Sequence, residues 1–229
     1  TLDGNFEGAL SYLGDGTITL GDNGVVTGTV ANDTLTDFQG TLALSGTGTV
    51  WGLIGAEYAA LKAVNAGAAG SIATFSDDIY AQTMSVTGTG TVMLSGDLNG
   101  NLSYGADGNL ILGDGRIITG TVTNDSGIDL QGELDLVGTH TTQGTIGLES
   151  GDALRLVSVS QGTLSMAHDV AAGLVLVDDN ATLALVGDRT ITGGGLSVGG
   201  VGSSGVDLGE NTLTLEDGGV VFAAGTTID

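Results

Sequence analysis

Residues 15–57 read DGTITLGDNGVVTGTVANDTLTDFQGTLALSGTGTVWGLIGAE, and residues 107–149 read DGNLILGDGRIITGTVTNDSGIDLQGELDLVGTHTTQGTIGLE. Laid over one another at a constant offset of 92, with no gap, 23 of the 43 positions are identical. The correspondence extends outward. Leu2-Asp3-Gly4-Asn5 answers Leu98-Asn99-Gly100-Asn101 once an insertion near Phe6 to Ala9 is allowed. Thr83 to Gly88 answers Thr182 to Gly187 at a slightly larger offset, and Asn211 to Val221 resembles Gly16 to Val26 and opens a third copy. The chain thus divides into superrepeats of approximately 1–96 and 97–195, with a partial third over 196–229.

A shorter period runs inside the long one. Gly16-Thr-Ile-Thr-Leu20 and Gly40-Thr-Leu-Ala-Leu44 are alike, and Val92 to Leu94, Leu110 to Leu112 and Gly132 to Leu136 follow at similar intervals. Each is an apolar/polar alternation of period two, the mark of a half-buried strand. Each is bounded by Gly-Asp, Asp-Gly, Asn-Gly or Gly-Thr-Gly, residues that tolerate the backbone of tight turns. Strand–turn units of roughly 20–25 residues bury their apolar faces only by stacking, which predicts an all-β, parallel β-helix or solenoid. About nine or ten rungs, at the strand spacing of about 4.8 Å, give a rod on the order of 45 Å. Indels between copies are expected to emerge as loops on one face of such a rod. The segment Ala56 to Ala66 has good helix formers, but its counterpart around Gly151 to Ser160 alternates like a strand. Strand is therefore expected over Leu61 to Val64, with a short surface helix as the alternative.

Composition agrees with this architecture and excludes others. Of 229 residues 43 are Gly, and Pro and Cys are absent. There is accordingly no disulfide framework and no thiolate metal site. Four Lys plus Arg against 27 Asp plus Glu give a net charge of −23, which offers no footprint for nucleic acid or an anionic membrane. The 41% hydrophobic content distinguishes the chain from acidic disordered segments. The N-terminal Thr-Leu-Asp-Gly lacks the basic and apolar regions of a signal peptide. No stretch reaches the ~18 apolar residues of a helical membrane span, so direct membrane insertion of this segment is not expected.

Asp77-Asp78-Ile-Tyr-Ala-Gln-Thr83, Gly88-Thr-Gly-Thr-Val92, Leu98-Asn-Gly-Asn-Leu102, Gly105-Ala-Asp-Gly-Asn-Leu110 and Ile118-Thr-Gly-Thr-Val122 together resemble the repeats of large autotransporter passengers, those of the rickettsial outer membrane protein B type. The resemblance covers most of the chain. It implies a right-handed parallel β-helix displayed outside a bacterial cell, with a role in adhesion or as a surface coat. It carries no catalytic motif. The β-barrel typical of such proteins has no counterpart in this sequence. A chain exported unfolded also benefits from lacking Cys and slow-isomerising Pro, although a β-ladder excludes Pro on its own account.

Few residues have the pattern of a chemical site. His140 stands where the first copy has Gly48, and His168 lies in Met-Ala-His-Asp. Both are expected on solvated turns, and no Ser follows a strand in a nucleophile-elbow context. Glu133 and Asp135 share a strand face at i and i+2, an arrangement comparable to the paired carboxylates of glycosidases. Asp77/Asp78 and Asp178/Asp179 are further acidic pairs. The four cations Lys62, Arg116, Arg155 and Arg189 are scattered, and carboxylates on an exposed face are the simpler reading. No catalytic, cofactor-binding or metal-ligating residue is assigned. Calcium is the one metal considered, because Asp-Gly turns supply hard oxygen ligands. The nonapeptide calcium repeat is absent, and Gly199 to Gly202 and Val206 to Glu210 are loose echoes of it. The remaining candidates are aromatic: Tyr12 and Tyr104, which align at offset 92, with Trp51 and Tyr58. Tyr12, Tyr104 and Trp51 are candidate surface contacts for a receptor or carbohydrate, and corner packing is the alternative for the tyrosines.

The leading expectation is a non-enzymatic extracellular surface solenoid serving as adhesin, spacer or coat. Its partners would be a host or neighbouring cell surface or a glycan. A second is a filament or lattice subunit, in which open terminal rungs pair end to end as a homo-oligomer. A third is a glycan-active β-helix enzyme.

Overall fold

The computed structural model describes residues 1–147, 152–199, 203–223 and 226–229. Among them there is no helix, and every strand pair is parallel. The chain winds as a solenoid with three faces per rung. The first rung shows the order: Leu10–Tyr12 on the first face, Thr17–Leu20 on the second, Gly24–Val26 on the third. The third face is a continuous sheet of eleven strands, from Asn5–Phe6 to Val220–Phe222. Eleven strands enclose ten turns, in line with the expected rung count, and span roughly 48 Å at the strand spacing. The second face carries a six-stranded sheet from Thr17–Leu20 to Val122–Asn124 and, farther on, a three-stranded one. The first face begins with the pair Leu10–Tyr12 and Val30–Asn32 and ends in a five-stranded sheet from His140–Thr141 to Thr227–Ile228.

Alternation in the sequence becomes inside and outside in the rod. Val26, Val50, Phe75, Leu94 and Leu112 are stacked inward along the third face, and all are buried. Leu42, Val64, Met84, Leu102 and Val122 form the matching stack on the second face. Leu10, Val30, Ile54, Ile79, Leu98 and Ile118 do so on the first. Stacking like on like fills the core with branched aliphatic side chains, so few aromatics are required.

Rung length is not constant. The register Thr91↔Asn109 spans 109 − 91 = 18 residues, and Val50↔Phe75 spans 75 − 50 = 25. Most of the excess lies at corners. Between the first and second faces, Tyr12 to Thr17 is five residues but Asn32 to Thr41 is nine. A turn, hydrogen-bonded between Ala56 and Ala59, adds a further loop and leads into the strand Leu61–Ala66. The strand reading of that segment therefore holds, and the helical one does not. In the counterpart segment, Leu156–Ser160 is a strand, and Gly151 lies outside the described residues.

The long loops of the two superrepeats do not share an edge of the rod. Leu20 lies on the second face, but its equivalent Leu112 lies on the third. Five rungs separate Phe6 from Leu112 along the third face, and Leu20 sits two faces into the first of them. The superrepeat therefore spans 5 − 2/3, or four and one-third rungs, and each copy is advanced by one face. Accordingly the loop 33–40 joins the first face to the second, whereas 125–132 joins the second to the third.

Candidate interaction surface

Tyr12 and Tyr104 are not surface residues. They retain 4% and 0% exposure and fill the corners beneath the two long loops. Each hydroxyl donates to a carbonyl 29 residues on: Tyr12 to Thr41 at 2.5 Å and Tyr104 to Glu133 at 2.6 Å. Burial pushes the Tyr12 phenol up to about 12, offset in part by the Ile18 amide that donates to its oxygen. Burial, aided by the Glu133 carboxylate, holds that of Tyr104 well above the usual range. Over each ring lies a glycine with positive φ. A Cβ on Gly40 would collide with Tyr12 Cγ, and one on Gly132 with Tyr104 Cγ.

The same corners are latched by a buried asparagine. Asn32 donates to the carbonyls of Thr36 and Ala60, and its Oδ1 accepts from the Thr34 amide and hydroxyl. Asn124 repeats this with Ile128, Ala153 and Ser126. Satisfying loop carbonyls from within is what allows an eight-residue corner loop to close over an apolar core. The sequence signal for these latches is Val-x-Asn-Asp-[Thr/Ser], present at the same position in both copies.

Trp51 is exposed (58%), in keeping with its presence in one copy only. His140, expected on a solvated turn, is instead buried at the head of a first-face strand. Its Nδ1 lies 2.9 Å from the Arg116 carbonyl oxygen and its Nε2 3.1 Å from that of Val137. Its equivalent Gly48 is likewise buried at the head of a strand, Gly48–Val50 on the third face, so the position points inward in both copies and is not a turn. His168 is half-buried in a loop, with Nδ1 3.3 Å from the Thr142 carbonyl oxygen.

Glu133 and Asp135 do project from one face, but both are engaged. Arg155 bridges Glu133 at 2.7 Å and Asp107 at 2.8 Å, and Asp135 accepts from Ser158 and Ser160 at 2.6 and 2.9 Å. Lys62 pairs with Asp15, the first-copy equivalent of Asp107. This Lys62 contact, helped by the Gly40 amide, lowers the Asp15 carboxyl below its ordinary value. Among the described residues no three His, Asp or Glu side chains are grouped as a metal site. Of the loose calcium echoes, Gly200 to Gly202 lie outside the described residues.

A groove of about 690 Å³ lies on the first face, flanked by the corner loops of the first superrepeat. Phe38 and Tyr58 stand at its rim, with Tyr80, Gln82, Asn99 and Asn101 across its floor. Tyr58 is 86% exposed and Phe38 43%. Both hold positive φ, 66° and 61°, a conformation that costs about 1–2 kcal/mol for residues with a Cβ. Asp37 fixes the Phe38 loop by accepting from the Ala60 and Phe38 amides at 2.7 and 3.1 Å. The floor carries a β-bulge, because Tyr80↔Asn99 is followed by Thr83↔Asn101, three residues against two. Gly100 makes the bulge possible, since a Cβ there would lie on the Ala81 carbonyl oxygen.

The second superrepeat has the corresponding concavity one face on, about 460 Å³. Register carries Tyr80 to Ala171, Asn99 to Thr192 and Thr119 to Glu216. Among the described residues, its lining includes no aromatic side chain. Comparison of the chain with protein-family models, with curated proteins and with solved structures finds no match to any of them.

Proposed function

We propose that this chain is a non-enzymatic rod segment of a bacterial surface protein, of the autotransporter-passenger kind, serving as adhesin, spacer or coat. The reading is supported by one observation above all. The apolar side chains stack inside an uninterrupted parallel ladder of eleven strands, while the great excess of carboxylates decorates its outside. Such a rod holds its ends a fixed distance apart. Its surface charge of one sign discourages lateral aggregation between neighbouring rods. Antibodies raised against the purified chain should label intact cells of the source organism. Labelling only after permeabilisation would overturn the reading.

A second reading is an end-to-end filament. It is favoured by the ladder itself, because every rung of a parallel solenoid presents backbone groups along the rod axis to which a further rung can pair. Light scattering decides it, because a monodisperse monomer at high concentration removes this reading and leaves the rod intact.

A further inference from the structure

We infer that the groove between the corner loops of the first superrepeat is a binding site for a neutral oligosaccharide. The chemistry of the groove carries this, wherever the rod is displayed.

Saccharides present apolar C–H faces and a rim of hydroxyls, and sites for them need flat apolar surface beside convergent donors and acceptors. Phe38 and Tyr58 supply exposed rings at the rim, and Tyr80 supplies a half-buried one on the floor. Gln82, Asn99 and Asn101 supply primary amides, each able to donate and accept at once. No intramolecular hydrogen bond is made by the side chains of Gln82 or Asn99 among the described residues, and Asn101 uses only Oδ1, towards Thr121. These amides therefore face the groove with spare capacity.

The groove also excludes other ligands. Its charged lining residues are Asp37 and Glu57, and no Lys or Arg lines it. On a chain of net charge −23, an anionic polysaccharide or nucleic acid is repelled. An extended peptide adding as a strand needs free backbone edges, but the floor strand Ile79–Val86 is paired on both sides. What remains is a neutral ligand that binds through ring faces and hydroxyls.

The site is built rather than incidental to the rod. The β-bulge at Ala81–Gln82 offsets the side chains on either side of it, and bulges recur where a strand must re-aim a side chain. Among the described residues, the equivalent concavity of the second superrepeat is lined by neither rings nor amides, although the corner scaffold beside it is kept. The scaffold therefore does not require them.

Saturation-transfer NMR on the 229-residue chain tests this with a panel of neutral hexasaccharides, namely cello-, xylo-, manno-, laminari- and chitohexaose. Hexagalacturonate serves as the anionic control. At least one neutral probe should bind. The double substitution Phe38→Asn, Tyr58→Asn keeps residues tolerant of positive φ and should weaken that binding about tenfold. Gln82→Ala should also weaken it, and Trp51→Ala, outside the groove, should leave it unchanged. An unaltered melting temperature confirms that each variant is folded. Silence across the neutral panel at about 5 mM, equal binding of hexagalacturonate, or binding indifferent to the groove substitutions would each overturn the proposal. None of these results bears on whether the rod is exposed on cells.

Discussion

The two superrepeats share their corners and differ in what the corners flank. In both, a tyrosine is roofed by a glycine, an asparagine latches an eight-residue loop, and a cation sits over the aspartate that caps the turn. These are local devices, and they are reproduced although the second copy is advanced by one face of the rod. The concavities beside them are not reproduced. One presents Phe38, Tyr58, Tyr80 and a set of amides, and the other presents Ala171, Thr192 and Glu216. The difference separates what the solenoid needs in order to close from what it is free to vary.

If the two corners are truly equivalent, the roofing glycines should show it most strongly. Gly40→Ala and Gly132→Ala should each cost about 2–5 kcal/mol, combining positive φ with a collision against the underlying ring. Urea denaturation measures this. Similar losses in the two variants are expected, and a large inequality would mean that the corners are equivalent in sequence only. The asparagine latches come next. Asn32→Ala and Asn124→Ala should each cost about 1–3 kcal/mol, because buried loop carbonyls lose a donor. Hydrogen exchange should show the opening confined to the mutated corner, since rungs contact only their neighbours.

The smallest effect distinguishes the corners through pH. Tyr12 is pushed up to about 12, and Tyr104 is held well above its ordinary value. Below pH 10 these phenols are protonated in folded and unfolded chains alike, and their contribution is intact. Above about pH 10 the unfolded chain releases protons that the folded chain keeps, so stability falls as pH rises, on the order of 1 kcal/mol per unit for each group. Melting followed from pH 9 upward, with phenolate absorbance, checks the sign. Tyr12→Phe and Tyr104→Phe should each flatten the decline, and flattening by only one of them would show that the corners differ in solvation.

Much of this was legible in the chain. Alternation placed the strands. The strand reading of Leu61 to Val64 against its own helix propensity came from the second copy, where the stretch around Gly151 to Ser160 alternates. Trp51 was readable as exposed because nothing in the other copy replaces its ring. Tyr12 and Tyr104 were ambiguous for a physical reason: a tyrosine at a corner has an apolar body that can fill the core and a hydroxyl that can reach either solvent or a carbonyl. The groove was illegible, since its rim and floor come from residues 38, 58, 80 and 99, which sit on successive rungs and belong to no single motif.

The rung is written in the chain itself. Period-two alternation, with glycine and asparagine at the corners, dictates which side chains enter the core, because a strand has only two sides. The phase of one copy against the next was set only in three dimensions. A superrepeat of four and one-third rungs turns each copy by one face, and that rotation depends on the summed length of every corner loop. It set the two long loops on different edges.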